Sequence, residues 1–369
     1  MTNRSYVSIC SGAGLGSHGV DKAGWTGSAF VEFDPTRRAV LRRWHPEAEL
    51  FEGINGDLER LSGTDIPEAY AWIVTVPCTD FSIAGRRKGV IGKAGRLHVD
   101  FFRVLKQTIQ AGKAPEVVVW EQAPGWMSHG FKWPHCHGGD GVVTVYRWTK
   151  EELGRLGYTA VMGGPMNAWA FGVPQDRTRC FLVFARDKHL LPKEIRPPLF
   201  DDPRLLERTL IREWPERYIA KEVELSGRPE IQRRVAQFRK DLEKRERLAG
   251  EIPAFAGVIP PLPEWDGLVV FMSLKNASSV HAGYAQTITK DPRLLARLPD
   301  GRIVECKPEA LEFLMGVPEG YTEWGIGEHG QEVFPRVEER EDACGDGIVS
   351  PIMESIARSL TWVGQEKKR

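Results

Sequence analysis

Through the first half of the chain, short apolar runs alternate with segments of helical periodicity. Tyr6 to Cys10 is apolar and is followed at once by Ser-Gly-Ala-Gly-Leu-Gly, residues 11 to 16, and then by a segment whose apolar positions Val20 and Ala23 suit a helix. This reads as strand, tight glycine turn and helix. A second apolar run, Gly27 to Phe33, precedes Asp34-Pro35 and the helical stretch Thr36 to Trp44, with the proline suited to a first helical turn. Further strands are expected at Ala71 to Val76, Glu116 to Trp120, Thr159 to Gly163 and Cys180 to Ala185, and helices at His98 to Ala111 and Thr149 to Leu156. Strands alternating with helices predict an α/β fold with a doubly wound, mostly parallel sheet.

After Asp187 the pattern breaks, with Pro192, Pro197, Pro198, Pro203 and Pro215 and a turn-rich stretch from Pro253 to Trp265, so a domain boundary is placed near residue 187. Ile231, Val235, Phe238 and Leu242 recur at helical spacing among Arg233, Arg234, Arg239, Lys240, Lys244, Arg245 and Arg247. Such a face can lie on a phosphate backbone, but Glu230, Asp241, Glu243 and Glu246 interrupt the charge and favour a solvated amphipathic helix.

Composition narrows the class without naming it. A chain of 369 residues that is 41% hydrophobic buries a substantial core, and 50 Lys and Arg against 50 Asp and Glu leave no global basic field. Any nucleic-acid surface must be local. No apolar run reaches the roughly 20 residues of a bilayer span, and Met1 to Ser5 lacks a secretory pattern, so the expected compartment is cytoplasmic and no membrane partner is expected. The six cysteines, Cys10, Cys78, Cys136, Cys180, Cys306 and Cys344, show no paired spacing that would indicate a disulfide framework or zinc module. Within Trp133 to Gly139, His135, Cys136 and His137 are consecutive, a spacing that rarely satisfies one metal, and none is expected.

The candidate chemistry collects at strand ends. Gly12, Ala13, Gly14 and Leu15 form a turn at which backbone can approach a ligand closely. Glu32 ends the second strand, where a carboxylate accepts both hydroxyls of a ribose; Phe33 is placed to stack on an adenine and Asp57 to accept from an exocyclic amine. A lone cysteine is more often a buried small hydrophobe than a nucleophile. Cys78 differs: it follows Pro77 at a strand's carboxyl end and is trailed by Gly85-Arg86-Arg87-Lys88-Gly89, a basic, glycine-hinged loop suited to closing over a polyanion. The strand ending in Trp120 leads to Glu121 at the same edge, and Arg177 and Arg179 stand at alternate positions, a spacing that points both to one side.

This ordered set resembles the C5-cytosine DNA methyltransferase family across nearly the whole chain. Ser11-Gly12-Ala13-Gly14 is similar to its first cofactor motif, Glu32 to its ribose acid and Asp57 to its adenine-contacting acid. Pro77-Cys78 with Phe81-Ser82 resembles the catalytic proline-cysteine motif, Glu121 the acid of the Glu-Asn-Val motif, and Gln175, Arg177 and Arg179 the Gln-x-Arg-x-Arg motif. Gln286 to Thr289 and Leu314 to Pro318 resemble the motif that packs against the recognition domain, and Gly345 to Pro351 the last motif. The departures are Cys10 in place of a stacking Phe, Leu15 in place of a Gly, Thr79 for Gln, Gln122-Ala123 for Asn-Val, Glu309 for an arginine and Asp346 for Asn.

The resemblance implies a Rossmann-like, class I methyltransferase domain over residues 1–186, a smaller, irregular target-recognition domain over 187–338, and a C-terminal segment, 339–369, packing back onto the first. It implies S-adenosylmethionine as cofactor, held by Ser11, Gly12, Ala13, Gly14, Leu15, Glu32, Phe33, Asp57, Pro77, Asp346 and Ile348, and double-stranded DNA contacted by Ser82, Arg86, Arg87, Lys88 and Gln175. Cys78 would add to carbon 6 of a flipped-out cytosine, Glu121 relieve charge at ring nitrogen 3, and Arg177 and Arg179 hold the base oxygen and a neighbouring phosphate. No obligate protein partner is implied, and a monomer is expected. Three rival readings stay open: the same chemistry on transfer RNA, transfer of a modified group from a cofactor derivative, to which the Asp346 departure is pertinent, and a non-catalytic DNA-binding relative.

Overall fold

The computed structural model describes residues 4–52, 56–77, 93–128, 130–132, 142–202, 211, 213–223, 269–272, 280–282, 285–286 and 294–366. At its centre is a seven-stranded sheet of β1 (Ser5–Ile9), β2 (Thr26–Val31), β3 (Glu49–Phe51), β4 (Ala71–Val74), β5 (Val117–Gln122), β6 (Ala160–Asn167) and β7 (Thr178–Ala185), in the order β3-β2-β1-β4-β5-β7-β6. The first five are parallel, and β7 runs antiparallel to both β5 and β6. Strand order reverses between β1 and β4, so the crevice at their carboxyl ends is where a sheet of this kind receives a ligand.

Period-two alternation builds a core on each face of the sheet. Tyr6, Ala71, Ile73, Val117 and Val119 pack on one side with helices α1 (Leu15–Lys22), α2 (Pro35–Trp44) and the C-terminal α7 (Ser350–Glu366). Val7, Ile9, Trp72, Val74, Val118 and Trp120 pack on the other with α3 (Lys93–Gln110) and α4 (Val145–Arg155). Trp72 and Trp120 are fully buried, and truncating either to alanine costs about 3–5 kcal/mol. Asp34 caps α2 by accepting from the Thr36 and Arg37 N–H groups (2.9 and 3.0 Å), with Pro35 at the first helical position as expected.

Two more helices, α5 (Pro308–Met315) and α6 (Val337–Asp346), precede α7. A second, antiparallel sheet comprises β8 (Ile219–Glu222), β9 (Val269–Met272), β10 (Val280–Ala282), β11 (Leu294–Arg297) and β12 (Ile303–Cys306), in the order β8-β12-β11-β9-β10. Trp214, Tyr218, Leu294, Val304 and the α5 residues Leu311 and Leu314 belong to the same buried cluster as Tyr6 and Val119, so the apolar core is continuous from β1 to α5.

The sequence pattern gave no sign of β3, which has only three residues at the sheet edge. Strand β6 runs past its expected end at Gly163 to Asn167 and includes Pro165. It is the other edge strand, where a missing backbone N–H is tolerated. Gly163 lies at φ 115°, and a side chain there would meet the Phe181 carbonyl oxygen at 2.2 Å, so glycine is required. No helix among the described residues is long and apolar enough to cross a membrane.

Candidate active site

The turn after β1 is fixed from both neighbouring strands. The Ser11 N–H donates to the Val31 carbonyl (3.1 Å), its hydroxyl to the Ser8 carbonyl (2.9 Å), and the Thr75 hydroxyl donates to the Cys10 carbonyl (2.7 Å). Cys10 is the one non-glycine among the described residues at positive φ, 57°. Burial pushes its thiol up, and the carboxylates of Glu32 and Asp57 push it further. At Gly12 a side chain would meet nothing within 4 Å, which leaves open space at the turn, whereas at Gly14 it would meet Leu41 Cδ2 at 2.7 Å.

Glu32 closes this cradle. One carboxylate oxygen accepts the Gly12 N–H (2.7 Å) and the other the Asp34 N–H (2.9 Å). Each oxygen keeps an acceptor site for a ribose hydroxyl. Burial raises the Glu32 carboxyl, opposed by Arg37 and by the two N–H donors. Phe33, next in sequence, is 68% exposed and available for stacking. Asp57 is half-buried, with one oxygen accepting the Glu59 N–H (3.1 Å). These features fit an adenosine-containing cofactor: open space over a glycine turn, a buried bidentate acceptor and an exposed aromatic ring. Ala13 and Leu15 point into the core, at 2% and 1% exposure, so only their backbone can face a ligand.

Two strands away along the same sheet edge, Glu121 on β5 lies opposite Phe181 on β7, and the Arg179 Nε is 3.4 Å from its carboxylate. Burial raises the Glu121 carboxyl, and the charges of Arg179 and then Arg177 oppose the rise. The neighbouring Gln122 is buried and donates to the Val76 carbonyl (2.5 Å), tying the end of β5 to the segment that leads into exposed Pro77. Thus the amide that departs from the family's asparagine anchors the approach to Cys78. Cys78 itself lies outside the described residues, as do Ser82, Arg86, Arg87, Lys88, the basic segment 231–247 and the Trp133 to Gly139 loop. Among the described residues no group of three or more His, Cys, Asp or Glu is placed to hold a metal.

The structure separates residues that the sequence pattern grouped. Arg177 does not share the outlook of Arg179: it is 1% exposed, and its Nη2 donates to the carbonyls of Gly345 (2.9 Å) and Gly347 (2.7 Å). Alternation fails there because β7 begins only at Thr178. Gln175, expected on DNA, is fully buried and donates to the Leu314 carbonyl (2.5 Å), because a short parallel pairing of Gln175–Asp176 with Ala285–Gln286 draws it beneath α5. Asp346 accepts from Arg37 Nη2 at 2.7 Å, so its charge is already matched. Ile348 packs against Gly16, where an added side chain would lie 3.0 Å from it. Glu309, in the place of a family arginine, pairs with Arg340 of α6 (2.8 Å), which also meets the fully buried Glu312 (3.0 Å).

Sequence reasoning missed Arg37, Thr75 and Arg340. Thr75 and Arg37 carried no signal, since each acts through a fold contact distant in sequence. Arg340 had one: a carboxylate where the family that the sequence resembles usually has an arginine calls for a cation from elsewhere.

Residues 5–257 match the family described as C-5 cytosine-specific DNA methylase. The chain is 29% identical over 188 residues to the Type II methyltransferase M.AquIA of Picosynechococcus sp., covering 49% of this chain and 71% of that one. It is 31% identical over 183 residues to the Type II methyltransferase M.NgoPII of Neisseria gonorrhoeae, covering 49% of this chain and 48% of that one, so the match spans about half of that relative's length. The fold is similar to that of the Entamoeba histolytica methyltransferase EhMeth, with a TM-score of 0.57 and 11% identity over 98% of each chain. With the family match extending over more than half of its length, the chain belongs to the C-5 cytosine-specific DNA methylase family.

Proposed function

We propose that the protein transfers a methyl group from S-adenosylmethionine to carbon 5 of a flipped-out cytosine in double-stranded DNA, through a covalent bond from Cys78 to carbon 6. The observation that carries this reading is the pairing of partly buried Glu121 with Arg179 beside the end of β4 that leads into Pro77, on the same sheet edge as the Gly12–Glu32 cradle.

Carbon 5 of cytosine is a weak nucleophile while the ring is aromatic. Addition of the Cys78 thiolate to carbon 6 breaks the aromaticity and places electron density on the ring. Glu121, raised by burial and held in place by Arg179, donates a proton or hydrogen bond at ring nitrogen 3, where that charge gathers. When bound, S-adenosylmethionine supplies an electrophilic methyl group. Glu32, itself held by the Gly12 N–H, would orient its ribose, and the exposed Phe33 would cover its base. Carbon 5 takes that methyl group, leaving S-adenosylhomocysteine; transfer of the carbon 5 proton to water then expels the thiolate, and Glu121 takes back the nitrogen 3 proton as the ring is restored. A paired cytosine cannot reach the sheet edge, so the base must leave the duplex.

The test is incubation with labelled S-adenosylmethionine and either duplex DNA or transfer RNA, followed by trapping on a duplex containing 5-fluorocytosine. Label in DNA and a stable adduct are expected. Label only in RNA overturns the substrate, and labelled DNA without an adduct overturns the covalent route.

A further inference from the structure

The last helix turn before residue 347 joins the two halves of the site, and its partners are not those that the sequence motifs assign. Helix α6 ends at Asp346, and the carbonyls of Gly345 and Gly347 would be left without helical partners. Arg177 supplies them: one guanidinium nitrogen bridges both carbonyls, at 2.9 and 2.7 Å, from a position that is 1% exposed. A cation at a helix C-terminus is also favoured by the helix dipole. Between the two clamped carbonyls sits Asp346, whose carboxylate accepts from Arg37 at 2.7 Å. Arg37 lies within electrostatic reach of Glu32 as well, on the helix that begins three residues after it. Gly347 meanwhile packs on Leu15, which a side chain at 347 would approach to 2.9 Å.

We propose that Arg177 is a positioning residue of the cofactor half of the site: by clamping the Gly345–Gly347 turn it holds Asp346 against Arg37 and so keeps that guanidinium off the ribose-side carboxylate Glu32. This inference rests on the proposed use of S-adenosylmethionine. It reassigns Arg177 from a role on the base or a phosphate to one on the cofactor. The geometry supports the reassignment directly, because a fully buried guanidinium engaged by two carbonyls is not free to meet a phosphate. Arg37 has two carboxylates to choose from, and the clamp decides between them. If Asp346 moves away or loses its charge, Arg37 turns to Glu32 and occupies the oxygens that the ribose needs.

The experiment is isothermal titration of S-adenosylhomocysteine into the full chain, with duplex DNA affinity measured in parallel across salt concentrations. Arg177→Lys and Asp346→Asn are each expected to weaken S-adenosylhomocysteine binding about tenfold, roughly the worth of one charge-assisted hydrogen bond, while the salt slope of DNA binding stays as in wild type. In an Arg37→Gln background Asp346→Asn is expected to have no further effect, since the competing guanidinium is gone. Arg177→Lys is likewise expected to have no further effect in the Arg37→Gln background, whereas a merely structural Arg177 would weaken binding there as much as in wild type. Unchanged affinity in a folded Arg177→Lys protein, or a DNA salt slope shallower by about one phosphate contact, overturns the inference. Should Arg177→Lys fail to fold, the half-exposed pair decides: an Asp346→Asn effect that persists in Arg37→Gln overturns it. Wild type that binds no S-adenosylhomocysteine overturns the cofactor reading and this inference with it, whereas binding that the variants leave unaltered overturns this inference alone.

Discussion

The two halves of the site are built in different ways. The cofactor half is made almost entirely from the first strand, turn, helix and strand: Gly12 and Glu32 are linked by one hydrogen bond of 2.7 Å, and Asp34 both braces Glu32 and caps the next helix. The base half draws Glu121 from β5, Arg179 from an antiparallel neighbour and its approach from β4, and it is bounded by a turn near residue 346. A local site takes its geometry from a few neighbouring positions, on which distant groups such as Tyr321, whose hydroxyl donates to the Gly14 carbonyl, and Asp346 act from outside. An assembled site shares its geometry among strands, so each member is replaceable only if the others hold their register.

The sharpest break in this contrast is at Cys78. Cys78→Ser is expected to lower methyl transfer about 10⁴-fold, the scale of losing a covalent nucleophile, while leaving S-adenosylhomocysteine binding intact. A Cys78→Ser protein that methylates DNA at the wild-type rate in a filter-binding assay would remove the base half from the chemistry. Next comes Glu121→Gln, expected to cost about 10²–10³-fold in kcat. Burial raises the Glu121 carboxyl, so its protonated form persists to higher pH than for an exposed glutamate and its contribution is lost as pH rises through that raised value. The alkaline limb of the kcat profile should therefore flatten in Glu121→Gln. An unchanged limb would assign it to another group.

On the cofactor half, Glu32→Gln is expected to weaken S-adenosylhomocysteine binding about 10- to 100-fold, the worth of one or two hydrogen bonds to a charged acceptor. Duplex DNA affinity should not change. Equal losses for both ligands in titration calorimetry would mean that the halves are not separable.

How much was legible in the sequence follows the same division. The turn from Ser11 to Leu15, Glu32 and the capped start of α2 are local, and their residue types announce their backbone roles; they appear where the pattern put them. Glu121 was legible because a charged residue at the end of an apolar run marks a strand's exit. Arg177 and Gln175 were not, since their burial depends on β7 starting late and on pairing with residues more than a hundred positions away. The strands around residues 219–306 were also hidden. They are four residues or fewer, too short for alternation to stand out from turn-rich sequence.

The smallest expected effect concerns the foundation beneath the cofactor turn. Asp21 on α1 accepts from the Tyr6 hydroxyl at 2.8 Å and lies 3.4 Å from the His45 Nδ1. A side chain at Gly14 would approach His45 Nε2 to 3.5 Å, so this polar cluster directly underlies the turn. Burial pushes Asp21 up to about 6 and His45 down to about 4, and at pH 5 both are neutral. The two therefore oppose each other in stability. The raised Asp21 contributes fully below its unfolded value near 3.8, and that contribution is lost as pH rises through about 6. The lowered His45 contributes above its unfolded value near 6.5 and loses its contribution as pH falls through about 4. Wild-type melting temperature should then vary little over this window on account of the pair. Asp21→Asn removes one side of the balance, so its melting temperature should climb from pH 4 to pH 6.5, by about 1–2 °C for each kcal/mol of His45 stabilisation regained. A flat profile in that variant, measured by circular dichroism, would show that His45 titrates alike in the folded and unfolded chain and that burial does not hold it neutral.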